Sequence, residues 1–181
     1  MRPGFHRSRG RVVLRLRPGE AAVLGSLLHE LLDLLAEPEP TDRDPLEALV
    51  GIGTHTDPPD DPVLARLFPS AYADDAVAAG EFRRYTEPEL RGAKRAQAGT
   101  ALGTLPRAVA DRGATLSRAE CSSWLLTLND LRLALGTRLD VSEDWVAEYE
   151  ALPQDAPARL ALEVYDWLAW LQGTLIELLS G

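Results

Sequence analysis

Leu128-Asn129-Asp130-Leu131-Arg132-Leu133-Ala134-Leu135-Gly136-Thr137-Arg138-Leu139-Asp140-Val141 is the stretch that decides how this chain folds. Its apolar residues at 128, 131, 135 and 139 share one helical stripe, the spacing that turns a helix face toward a core. Asn129, Asp130, Arg132 and Arg138 crowd the flanks of that stripe. Charged groups beside a core are unfavourable unless they are paired, so this helix must find partners for them. No catalytic motif lies in the run, and it predicts a mostly α fold.

The helices on either side follow from their own start signals. Ser117-Arg118-Ala119-Glu120 is a capping box that opens the helix carrying the run. Upstream, Thr86-Glu87-Pro88-Glu89 has the same pattern with proline in the first turn, and predicts a new helix from there to about Ala110. A separate helix is expected from Asp74-Asp75 to about Tyr85, and a short one over Pro62 to Phe68. Pro18-Gly19-Glu20 opens a helix to about Ala36, whose stripe is Leu24, Leu27, Leu28, Leu31 and Leu35. Downstream, Ser142 is expected to cap a short acidic helix containing Trp145 and Tyr149. Asp155-Ala156-Pro157 starts the last helix, with Leu160, Val164, Trp167, Leu168, Leu171, Leu175 and Leu178 as its inward face.

Two segments stand outside this pattern. Residues 3–17 are basic, and Phe5 to Arg17 reads as a β-hairpin turning at Ser8-Arg9-Gly10, with Leu14 and Leu16 on one face and arginines on the other. Residues 37–62 hold prolines 38, 40, 45, 58, 59 and 62 among many acids and read as a loop, with a helical turn at most over Leu46 to Val50. With residues 63–180 as a helical body, the expectation is one domain over 1–181, a helical bundle with an N-terminal β-hairpin.

Charge divides the chain sharply. Net charge is −9, yet Arg2, Arg7, Arg9, Arg11, Arg15 and Arg17 lie in a 17-residue segment with no acid. The rest holds 13 of the 19 basic residues against all 28 acidic ones, or −15. An acidic body repels nucleic acid, whereas the arm attracts it. Arg7, Arg9, Arg11, Arg15 and Arg17 are therefore the candidate contacts to DNA or to an acidic partner. The N-terminus lacks the apolar core of a signal peptide and no stretch is apolar enough to span a membrane, so a cytoplasmic protein without membrane contact is expected.

Catalytic and metal motifs fail on inspection. His29-Glu30-Leu31-Leu32-Asp33 has Asp33 where a zinc helix needs its second histidine. Gly51-Ile52-Gly53-Thr54-His55-Thr56 lacks a third glycine and a following lysine, and sits among acids. His6, His29 and His55 have no nucleophile partner in the sequence. An enzyme is not expected, nor a cofactor or metal. A helix-turn-helix at Leu139 to Glu143 would present Glu143, Asp144, Glu148 and Glu150 to DNA, and is disfavoured. Phe82-Arg83-Arg84-Tyr85 with Arg91, Lys94 and Arg95 forms a second basic region, read as a solvated face paired with Glu81, Glu87 and Glu89. Cys121 admits two readings: a small core residue in line with Leu125 and Leu128, or a redox thiol at a helix start, where the macrodipole favours thiolate.

Three segments resemble the AosR family, an actinobacterial family of oxidative-stress transcriptional regulators long catalogued as a domain of unknown function. They are Asp61-Pro62-Val63-Leu64-Ala65-Arg66-Leu67-Phe68-Pro69 leading to Tyr72, Glu81-Phe82-Arg83-Arg84-Tyr85-Thr86 through Lys94, and Asn129 to Val141. The third carries the signature residues Asn129, Asp130, Arg132, Gly136, Thr137 and Arg138. The resemblance implies a cytoplasmic regulator that senses oxidants through cysteine chemistry and acts on transcription with a sigma-factor partner. Cys121 is the chain's single cysteine, so a disulfide switch within the chain does not carry over. The expected function is a non-enzymatic transcriptional regulator acting through DNA or a sigma factor. The alternative is a protein-interaction module that never touches nucleic acid. The Leu14/Leu16 face and a free hairpin edge further suggest a homodimer.

Overall fold

A computed structural model describes residues 3–36, 57–72 and 74–181; Gly51 to Thr56, with His55, and the turn over Leu46 to Val50 lie outside them. Among the described residues six helices surround a three-stranded antiparallel sheet. β1 (Gly4–Ser8) and β2 (Arg11–Arg15) form the expected hairpin, followed by α1 (Pro18–Leu34), α2 (Pro62–Leu67) and α3 (Ala76–Ala108). Then come β3 (Ala114–Thr115), α4 (Arg118–Arg138), α5 (Trp145–Ala151) and α6 (Pro157–Ser180). The signature helix α4 is the centre, touching α1, α2, α3 and α6, while α6 also covers β1.

Caps explain most of the boundaries. Asp61 starts α2 by accepting from the Val63 and Leu64 amides at 2.7 and 3.1 Å, and Asp75 starts α3 by accepting from Ala78 at 3.0 Å. At α4 the capping box closes both ways: Ser117 Oγ accepts from the Glu120 amide and the Glu120 carboxylate accepts from the Ser117 amide, at 3.2 and 2.7 Å. Ser142 orders the turn before α5 by accepting from the Asp144 amide, but the helix begins at Trp145 with Asp144 as its flanking residue.

The sheet departs from a lone hairpin. β3 adds to β2 with Val13 opposite Thr115 and Leu14 opposite Ala114. The Leu16 amide donates to the Ala108 carbonyl and the Leu116 amide to the Val12 carbonyl, at 3.0 and 2.9 Å, which extends the attachment. Gly113 makes this approach possible: its φ is +69°, and a Cβ there would lie 2.7 Å from the Leu14 carbonyl oxygen. Leu14 and Leu16 are buried in the chain's own core, so the apolar hairpin face is covered within one molecule rather than offered to a second copy.

Two helix expectations are corrected. No break occurs at Thr86; α3 runs 33 residues through Pro88 and Pro106. Thr86 Oγ1 donates back to the Phe82 carbonyl at 2.8 Å instead of capping a new helix. Glu87 is held by Arg83 and Arg91, one turn to either side. In α6 the inward face is Leu162, Leu168, Leu171 and Leu175, with Val164, Trp167 and Leu178 half-buried, whereas Leu160 is 67% exposed near the helix start. The α1 stripe is as read, with Leu24, Leu28, Leu31 and Leu35 buried.

Candidate functional site

The hairpin arginines occupy four different settings. In the β1–β2 register, Gly4, His6 and Ser8 face Arg15, Val13 and Arg11, and directly opposed residues share a face. Val13 is buried, so it interrupts the expected arginine row between Arg11 and Arg15. Arg7 lies on the opposite face and donates to the Leu178 carbonyl at 2.5 Å, where the C-terminal turn of α6 attracts a cation. Arg15 is half-buried and has a partner. Arg9, at a left-handed φ of 49°, and Arg11 are exposed at the turn, and Arg17 is exposed where the strand enters α1. Arg9 and Arg11 make no ion pair with any described residue.

The signature residues reach different neighbours around α4, and most of them are paired. Asp130 is buried and accepts from Lys94 Nζ of α3 at 2.7 Å. Arg132 donates to Gln172 Oε1 of α6 at 2.7 Å, and its guanidinium carbon lies 5.4 Å from the centre of the Tyr165 ring. Thr137 Oγ1 donates to the Leu133 carbonyl within the helix, and Arg138 pairs with Glu30 of α1 at 2.9 Å. Gly136 lets Tyr165 come close, since a Cβ would sit 3.2 Å from Tyr165 Cε2. Asn129 is exposed. These contacts join α4 to α1, α3 and α6, which accounts for the three charged residues beside the core stripe.

A polar cleft of about 310 Å³ opens over the C-terminal half of α4. Arg132, Gly136, Thr137 and Asp140 from the signature run line it, with Arg66 from α2 and Tyr165 from α6. Sequence reading singled out neither Arg66 nor Tyr165 as a site residue. Arg66 stands in the first family-like segment, but its convergence with Arg132 depends on how α2 packs across α4.

The second basic region is not a solvated face. Arg83 and Arg91 are buried and converge on Glu87 at 3.4 and 2.7 Å. Arg83 also donates to the Phe68 carbonyl at 3.1 Å, and Arg91 lies 4.8 Å over the Phe68 ring. This cluster fastens α2 to α3. Arg95 alone of that region's Arg91, Lys94 and Arg95 is exposed.

Cys121 is buried among core residues. Burial pushes its thiol above the ordinary cysteine value, and the neighbouring Glu120 charge adds to the effect. That opposes the thiolate expected from the helix start alone. In the His29-Glu30-Leu31-Leu32-Asp33 stretch, His29 is exposed and its Nδ1 meets the Gly25 carbonyl at 2.6 Å; the described residues contain no group of three metal-ligand side chains.

The model of a family described as a domain of unknown function, DUF2017, matches residues 1–179. The chain belongs to this family. Relatives of the chain include the oxidative stress regulator AosR of Mycobacterium tuberculosis, 36% identical over 183 residues, covering 92% of this chain and 81% of the relative. A putative oxidative stress regulator AosR from Mycobacterium leprae is 36% identical over 174 residues, covering 88% of this chain and 78% of the relative. No solved structure matches the DUF2017 chain. No helix among its described residues is long and apolar enough to cross a membrane.

Proposed function

We propose that this chain is a non-enzymatic, cytoplasmic regulator of the oxidative-stress response that acts on transcription through DNA, a sigma-factor partner or both. The observation that carries the reading is 36% identity across 92% of the chain to a protein named for that regulation. The charge division supports the DNA arm of it. Arg9, Arg11 and Arg17 are exposed on a segment without acids, on a body whose charge repels phosphate elsewhere. The sigma-factor arm rests on the family resemblance. A homodimer belongs to the same proposal, now through the outer edge of β1, because Leu14 and Leu16 are covered.

Fluorescence anisotropy with promoter DNA at low salt tests the DNA arm. Replacing Arg9, Arg11 and Arg17 together by glutamine should weaken binding and flatten its salt dependence by about 3 in log–log slope if each meets one phosphate. Absence of binding at low salt, with and without a sigma factor, overturns it. A protein-interaction module remains the second reading, favoured by the acidic body and by the exposed Tyr72 and Phe82 rings, which meet edge to face at 5.9 Å. Affinity capture from native cytosol separates the two: polymerase components support the first reading, and proteolytic adaptors or metabolic enzymes alone support the second.

A further inference from the structure

The cleft beside α4 is open to solvent and lined by charged side chains. Its volume of about 310 Å³ suits a compact metabolite rather than a helix or a strand. Two guanidinium groups from different elements line it, Arg66 from α2 and Arg132 from α4. Arg66 is exposed and makes no hydrogen bond or ion pair with any described residue. Arg132 is already oriented by Gln172 and Tyr165, yet its Nε is buried without a hydrogen-bond partner. A pre-oriented guanidinium favours a planar oxyanion such as a carboxylate. Asp140 adds one negative charge to the lining, at a left-handed φ of 50° where the chain turns out of α4. The three charged groups sum to +1.

We propose that this cleft binds a small amino acid carrying more carboxylate than ammonium charge, with its carboxylates on Arg66 and Arg132 and its ammonium facing Asp140. A simple anion satisfies the arginines but meets Asp140 with like charge. A monoamino dicarboxylate matches the +1 lining and supplies a cation for the acid. Tyr165 forms one wall, held close by the absence of a side chain at Gly136. The site stands independently of the regulatory reading, because its occupancy is measured on the purified chain without DNA or a protein partner.

L-glutamate is the probe, with succinate and inorganic phosphate as comparisons, followed by calorimetry and ligand-observed NMR at low ionic strength. Saturable one-to-one binding of glutamate, tighter than succinate, is expected, with phosphate weaker than both. Arg66→Gln, at an exposed position, should weaken glutamate binding about tenfold. Asp140→Asn should remove the preference for glutamate over succinate. Gly136→Ala should reduce binding of both by displacing the Tyr165 ring. The proposal is overturned by no saturable glutamate binding up to about 10 mM, or by binding unchanged in both Arg66→Gln and Gly136→Ala. Equal affinity of the unmodified protein for glutamate and succinate overturns it as well.

Discussion

At the start of α4, two adjacent side chains are pushed in opposite directions. Glu120 accepts from the Ser117 amide and pairs with Arg107, and these contacts hold its carboxyl below the ordinary carboxylate value. Cys121 points into the core, and burial lifts its thiol. A lowered carboxyl stabilises the fold above its unfolded value, and that stability disappears as pH falls through the folded value. Glu120→Gln should therefore flatten the acid limb of a stability–pH curve and lose about 1 kcal/mol near neutrality, read by chemical denaturation. A raised thiol works at the other end: its contribution is complete below the unfolded thiol value and fades as pH rises through the folded one. Native protein should react slowly with a thiol reagent at neutral pH, and Cys121→Ser should cost about 1 kcal/mol of stability. A clean Cys121-dependent dimer after mild peroxide, from folded protein on a non-reducing gel, would show instead that the thiol is reached in the native state. Ser117 does cap a helix start just before Cys121, but burial, which no sequence motif marks, and the Glu120 charge both raise the thiol.

At the scale of elements, α3 shows where local signals mislead. Thr86-Glu87-Pro88-Glu89 and Ser117-Arg118-Ala119-Glu120 share one capping pattern, yet only the second starts a helix. The difference lies in the neighbours. Arg83, Glu87 and Arg91 are spaced one turn apart and lock together over Phe68, so continuing the helix keeps two buried guanidinium groups on one carboxylate. Breaking it at Thr86 would scatter them and leave charges buried without partners. Pro88 still gives the helix no amide to donate at that point. Pro88→Ala should therefore stabilise the protein by at least about 1 kcal/mol, a fraction of the usual penalty for a proline inside a helix. Were Pro88 at a helix start, the same change would be neutral or destabilising, so thermal and urea midpoints distinguish the two. The signature run was better read: the need to pair Asp130, Arg132 and Arg138 followed from their placement beside the stripe, while the identities of Lys94, Gln172 and Glu30 required the packed helices. Arg66 and Tyr165 escaped notice for the same reason.

Across the whole molecule, Trp124 joins the N-terminal sheet to the helical body. Its ring is fully buried and meets Phe5 of β1 edge to face at 5.8 Å. Its Nε1 donates to Thr104 Oγ1 of α3 at 2.9 Å, and Thr104 in turn donates to the Ala101 carbonyl at 2.7 Å. One side chain of α4 thus holds β1 and α3 together. The hairpin was legible in the sequence because alternation marks a strand, but β3 was not, since two residues carry no periodicity. That missing strand, with α6 over β1 and Trp124 beneath Phe5, is why the basic arm belongs to the domain instead of hanging from it. Thr104→Val keeps the volume but removes the acceptor, leaving the indole N–H buried without a partner. The expected loss is about 2 kcal/mol, within the usual range for an orphaned buried donor. Because Trp124 bridges two units, hairpin and helices should still unfold in one transition, with near-ultraviolet dichroism and far-ultraviolet helicity coincident in urea. Separate transitions in Thr104→Val, the near-ultraviolet signal leaving first, would show that the Trp124–Thr104 bond is what couples the basic sheet to the bundle.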